Sequence, residues 1–217
     1  MTDISIYANR WNDKKINEEA IKFLAKHPDY NEIPIQIADI IDLDLKMNIA
    51  PLPGLRNLIE GSDAFLSLDK STIWVDEYIS EKQVNRYRFT LAHEVGHMVL
   101  HPEIYEVLDF SSTQAAICSI LSIPKKVRND LEWQADEFAG RVLVPQMELK
   151  NSFKEEKERA EIRVHEDMPG LNNINFARAV EISFTTELSN IFEVSQASMG
   201  VRLRKEGLIP KGYPKYS

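Results

Sequence analysis

Apolar residues recur at helical spacing through residues 16–45, at Ile16, Ala20, Phe23 and Leu24 and again at Ile37, Ile40 and Ile41, with Pro34 separating two short helices. The period then changes. "DAFLSLDKSTIWVDEY" (63–78) alternates apolar and polar positions on either side of "DKS", which predicts two strands joined by a turn, with "TIWV" as the best strand candidate. In "SEKQVNRYRFTLAHEVGHMVLHP", Ser80 and Gln83 form a capping-box pattern that starts a helix near residue 81. Val84, Arg88, Leu91, Val95, Met98 and Val99 lie roughly on one stripe of that helix, and Pro102 disfavours helical geometry at His101.

Residues 103–124 carry no clear period. A second helix, "NDLEWQADEFAGRVLVP", can begin at Asn129 or Asp130 and should end before Pro145, and its Ala135, Ala139 and Gly140 would let another helix approach closely. "KNSFKEEKERAEIRVHEDMPGLNN" reads as a solvated helix followed by a loop, and apolar periodicity returns from about Phe176. Short strands thus give way to long helices and a helical C-terminal tail.

Composition narrows the functional classes. A chain of 217 residues with 43% hydrophobic residues can bury a core, while a net charge of -8 argues against a protein whose main work is neutralising nucleic-acid phosphates. Cys118 is the lone cysteine, which excludes an intramolecular disulfide and a cysteine-built zinc cluster and fits a reducing compartment. No apolar run has the length of a signal peptide core or a membrane span, so the expectation is a soluble, cytoplasmic protein without a membrane partner.

The chemistry concentrates in "TLAHEVGHMVLH" (90–101). Helical residues four apart are offset by about 40° and about 6 Å along the axis, so His93 and His97 project side by side and can share one metal ion. Glu94, beside His93, can reach a water that zinc has acidified without itself ligating the ion, which is the position of a general base. His101 lies about 12 Å along the axis from His93, too far to join it at an ion with bonds of about 2.0–2.1 Å. It can stand behind the site or line its pocket at most.

A catalytic zinc takes three protein ligands and leaves one position open. "EWQADEFAG" offers Glu132 as the third ligand, with Asp136 one turn on to accept the remaining N–H of a ligand histidine. From the residues alone, Glu132 also fits a capping-box glutamate three residues after Asn129, and Glu137 a solvated surface charge.

The two segments together, "RFTLAHEVGHMVLH" and then "ExxADEFAGRVLVP", resemble the ImmA/IrrE family of zinc metallopeptidases, whose usual form is close to RFTLAHELGHxxLH followed by ExxANxFAxxLLMP. Val95 stands for the usual Leu and Asp136 for the usual Asn, and the 35 residues from His97 to Glu132 are a long spacing that suggests an insertion over 103–130. The resemblance implies an α+β fold, a zincin-like domain over residues 1–150 with a small twisted sheet packed on the two ligand-bearing helices, and a charged linker and helical, helix-turn-helix-like subdomain over 151–217. It implies one zinc per chain, with His93, His97 and Glu132 as ligands and Glu94 as the catalytic acid/base.

It implies, too, an endopeptidase that holds an extended substrate on an edge strand, here "STIWVDE" with Thr72, Ile73, Trp74 and Val75. The family's typical substrate is a regulatory protein, often a helix-turn-helix repressor encoded nearby. Two other readings are a toxin-like protease held by an antitoxin, and a non-proteolytic transcriptional regulator of a mobile element or toxin–antitoxin pair. His101, Tyr105 and His165 are candidates for polarising the scissile carbonyl. The tail "FTTELSNIFEVSQASMGVRLRKEGLI" has the outline of a helix-turn-helix with basic Arg202, Arg204, Lys205, Lys211 and Lys215. In an acidic chain it is expected to pack against the core and not to bind DNA directly.

Overall fold

The structure, a computed structural model, describes residues 11–30, 32–58, 62–67, 69–104 and 122–210. Tyr105, Cys118, Lys211 and Lys215 lie outside the described residues. The chain divides into two compact units, the first within Met1–Asn31 and Gln36–Val142, the second within Glu32–Ile35 and Leu143–Ser217. Among the described residues the architecture is mostly helical with one small sheet, an α+β fold.

In the first unit, α1 (Asp13–Lys26) is capped by the Asn12 side chain and buries Ile16, Ala20 and Phe23, the face its periodicity predicted. A short helix α2 (Ile37–Asp39) runs into a π-turn (Ile40–Asp44) that buries Ile40 and Ile41. Then come β1 (Asn48–Leu52), a helical turn α3 (Leu55–Leu58), β2 (Ala64–Leu66) and β3 (Thr72–Asp76). The three strands form a sheet in the order β1–β3–β2, with β1 parallel and β2 antiparallel to β3.

This order overturns the edge-strand expectation for Thr72, Ile73, Trp74 and Val75. Those residues pair with Asn48, Ile49, Ala50 and Pro51 of β1 on one side, and Ile73, Trp74 and Val75 pair with β2 on the other. The physical reason lies in the sequences. β3 contributes the fully buried Ile73 and Val75, whereas β1 is half-buried or exposed throughout and contains Pro51, which lacks an N–H and is tolerated at an edge.

Asp76, at the end of β3, caps the next helix directly, accepting from the Tyr78 amide. That helix, α4 (Glu77–Lys82), begins four residues before the predicted start, and Ser80 lies inside it with its hydroxyl donating to the Glu77 carbonyl. The chain breaks helical geometry at Gln83, and α5 (Val84–Leu100) begins there. α5 buries Arg88, Leu91, Ala92, Glu94 and Val95, while Val84 is exposed. The Trp11 indole donates to the Leu100 carbonyl at 2.6 Å and so satisfies one orphan acceptor at the end of α5.

α6 (Lys125–Leu143) starts earlier than Asn129, and its inner face places Ala135, Phe138 and Ala139 out of solvent. Phe138 meets Phe23 edge-on at 5.6 Å, and Arg141 donates to Asn17 and Asp13 on α1. Glu137, expected to be solvated, is 8% exposed and lies 3.7 Å from Arg141.

The second unit is helical. α7 (Gln146–Asp167) and α8 (Asn173–Ile191) pack along one another, with Phe153 and Phe184 edge-to-face at 5.2 Å. α9 (Gln196–Lys205) is capped by Ser195. The tail has the predicted helix–turn–helix outline, but Arg202 of the "RLRK" run is 3% exposed and pairs with Glu206 at 2.8 Å, so part of the basic character faces inward. Among the described residues no helix is long and apolar enough to cross a membrane.

Candidate metal centre

α5 carries "HEVGH" and α6 carries "EWQAD", and the two helices meet closely where Gly96 faces Ala135. A Cβ on Gly96 would lie 3.1 Å from the Ala135 carbonyl oxygen, 3.2 Å from its Cα and 3.2 Å from the Phe138 ring. A glycine inside a helix costs about 1 kcal/mol relative to alanine, and here that cost permits backbone contact. The sequence contained the signal, a lone glycine in a strongly periodic helix, but the close approach was expected only from the alanines and Gly140 of α6.

That contact brings the ligand groups together. His93 Nε2 lies 3.0 Å from His97 Nε2 and 3.1 Å from Glu132 Oε2, and Glu132 Oε1 is 3.7 Å from His97 Nε2. One ligand atom from each of the three residues falls within 4.8 Å of the others, the one such group of three or more among the described residues. Donor atoms held tetrahedrally by bonds of about 2.0–2.1 Å are separated by about 3.3 Å, so the spacing fits a single ion. Because α6 begins at Lys125, Glu132 sits two turns into the helix and does not cap its start.

Both imidazoles are held from behind. His93 Nδ1 is 2.8 Å from Asp136 Oδ1, and His97 Nδ1 is 3.1 Å from the Nδ1 of His101. His101 is 1% exposed, with its Nε2 2.8 Å from Gln134 Oε1, a residue the sequence reading did not single out. With both ring nitrogens engaged, His101 is not open to a substrate carbonyl. His165 lies exposed on α7, in the second unit.

The electrostatics follow from this packing. Burial lowers the His93 pKa, but hydrogen bonds to Asp136 and Glu132 outweigh it and raise the value to about 10. For Glu132, burial acts upward and the hydrogen bonds to His93 and His97 act downward more strongly, which holds its carboxyl below the usual range. Burial pushes Glu94 up against the opposing fields of His93 and His97, and the Leu66 backbone adds a smaller downward influence. Burial, reinforced by His97, pushes His101 down to about 3, so this ring is neutral. The side chains of Glu132 and Asp136 are 53% and 55% exposed, which leaves the site open to solvent on their side.

The family model of the IrrE N-terminal-like domain, a peptidase family, matches residues 73–204, a span that contains His93, Glu94, His97, Glu132 and Asp136 and more than half of the chain. The chain belongs to this family. A Mycobacterium tuberculosis transcriptional regulator has a similar fold, with a TM-score of 0.51 and 14% identity over 92% of this chain and 51% of that one. The chain thus spans about half the length of that regulator. None of the curated proteins matches it. In this member of the IrrE N-terminal-like family, His93, His97 and Glu132 are of residue types that could hold a metal ion, and they lie together.

Proposed function

We propose that this chain is a zinc-dependent endopeptidase acting on a regulatory protein. The observation that carries the proposal is the convergence of His93, His97 and Glu132 beside the buried Glu94, with the Nδ1 of each ligand ring occupied and each Nε2 turned to the common point. Two imidazole nitrogens, one carboxylate and a solvent-facing side suit zinc, which favours imidazole and tolerates an open fourth position. When bound, zinc supplies a Lewis acid that polarises the scissile carbonyl and acidifies the attacking water.

Glu94 takes the proton of that water and returns it to the leaving amine. Its raised proton affinity suits a group that must act in both directions near neutral pH. Glu132 and Asp136 hold His93 between them.

The substrate strand moves from β3 to β2. The Ser67 N–H donates to the Thr72 carbonyl and the Asp76 N–H to the Asp63 carbonyl, so Ala64 and Leu66, at alternate positions, turn their backbone groups away from β3. The Leu66 backbone lies near enough to Glu94 to favour its charged form. An extended peptide pairing along Ala64–Leu66 would run past the base.

The class of substrate, a helix-turn-helix repressor or an antitoxin, rests on the family resemblance, and a cytoplasmic setting on the lone cysteine. The test is co-expression with the neighbouring genes. The wild-type chain shortens one product, and Glu94→Gln does not. A biological effect that survives Glu94→Gln unchanged would favour a non-proteolytic regulator, and cleavage by that variant would sink the mechanism.

A further inference from the structure

Gln134 and His101 form a polar pair that the reaction does not use, and both are 1% exposed. Gln134 Oε1 can only accept, so the His101 nitrogen 2.8 Å away, Nε2, must carry a proton, and neither ring nitrogen of His101 meets a carboxylate that would hold a second one. A neutral imidazole protonated at Nε2 has a lone pair at Nδ1. The atom 3.1 Å from that lone pair is His97 Nδ1, which must therefore donate. His97 is then protonated at Nδ1, and its Nε2, the atom facing His93 and Glu132, keeps a lone pair.

We infer that Gln134, acting through His101, is a positioning residue that selects the metal-binding tautomer of His97. The inference rests on the zinc reading above. The logic is directional. If the Gln134 amide nitrogen faced His101 instead, every proton in the chain would shift by one nitrogen, and His97 would be protonated at Nε2, where a metal must bind. His93 has Asp136, an acceptor whatever its orientation, whereas His97 depends on a neutral relay two residues long.

Two readouts test this on the full-length chain. In the metal-free protein, 15N correlation spectra of the histidine rings should find His97 protonated at Nδ1 and His101 at Nε2. The opposite pattern at either ring overturns the inference, and this measurement needs no variant. Zn2+ affinity, measured by competition with a chromophoric chelator, should fall about 10–100-fold in Gln134→Leu. It should return to within a few-fold of wild type in Gln134→Glu, which restores the acceptor. Equal affinities in wild type and a folded Gln134→Leu protein would also overturn the relay. If the wild type binds no Zn2+, the zinc reading fails, while the tautomer pattern still decides the relay.

Discussion

Replacing Gly96 with alanine separates helix stability from ligand geometry. The new methyl would stand 3.1–3.2 Å from the Ala135 backbone, whereas an ordinary van der Waals contact begins at 3.4 Å. The neighbour is main chain, so no flexible side chain can swing away. α6 must withdraw by about 0.2–0.3 Å, which is at or beyond the roughly ±0.2 Å tolerance of metal–ligand distances. Glu132 and Asp136 flank Ala135 on the same helix and move with it.

Zinc affinity should fall about tenfold, equivalent to roughly 1.4 kcal/mol. Stability should move little. Overpacking costs about 1–3 kcal/mol and the helix propensity of alanine over glycine offsets about 1, so the metal-free protein should lose about 0–2 kcal/mol in urea titration. The paired assay is chelator competition for Zn2+ and urea unfolding of the metal-free chain. A Gly96→Ala protein that binds Zn2+ as tightly as wild type and gains the full 1 kcal/mol of helix propensity would refute the close-contact argument.

Further outcomes follow from the same geometry. The His93 pKa is raised from 6.5 to about 10 in the metal-free fold, so its stabilisation is complete below about pH 6.5 and is lost as pH rises through about 10. Zn2+ must displace that proton, so apparent affinity should climb about tenfold per pH unit from His93 alone across the neutral range, and affinity that is flat between pH 6 and 8 would contradict it. Asp136→Ala should weaken Zn2+ about 10–100-fold, whereas Asp136→Asn, which keeps an acceptor oxygen, should hold affinity within a few-fold and lower the His93 pKa measured by NMR titration. Phe138→Ala, at a position with no solvent exposure that packs on Phe23, should cost about 3–5 kcal/mol in chemical denaturation, and a cost below about 1 would place it outside the core.

Much of the site was legible because its chemistry is local. His93, Glu94 and His97 occupy one helix, where the spacing alone places two rings side by side, and Glu132 and Asp136 repeat that logic on α6. What the sequence could not supply is mostly non-local. "TIWV" reads as a strand in isolation, but whether a strand is central or at an edge depends on partners such as β1, whose Pro51 and exposed positions give a weak strand signal. The start of α5 was misplaced because the Ser80–Gln83 pattern is sound capping chemistry, yet Asp76 had already capped a helix at the end of β3. Gln134 was passed over because an amide has no motif, and its meaning arises only when His101, 33 residues earlier, lies against it.

The metal content of the purified chain and of two variants decides whether His93, His97 and Glu132 hold an ion. Elemental analysis with zinc K-edge absorption should find one zinc per wild-type chain, with two imidazoles among its nitrogen and oxygen ligands at about 2.0–2.1 Å. The same signal should persist in Glu94→Gln and vanish in Glu132→Ala. A zinc-free wild-type protein, or full zinc occupancy with an unchanged spectrum in Glu132→Ala, would contradict the assignment of His93, His97 and Glu132 as the metal centre.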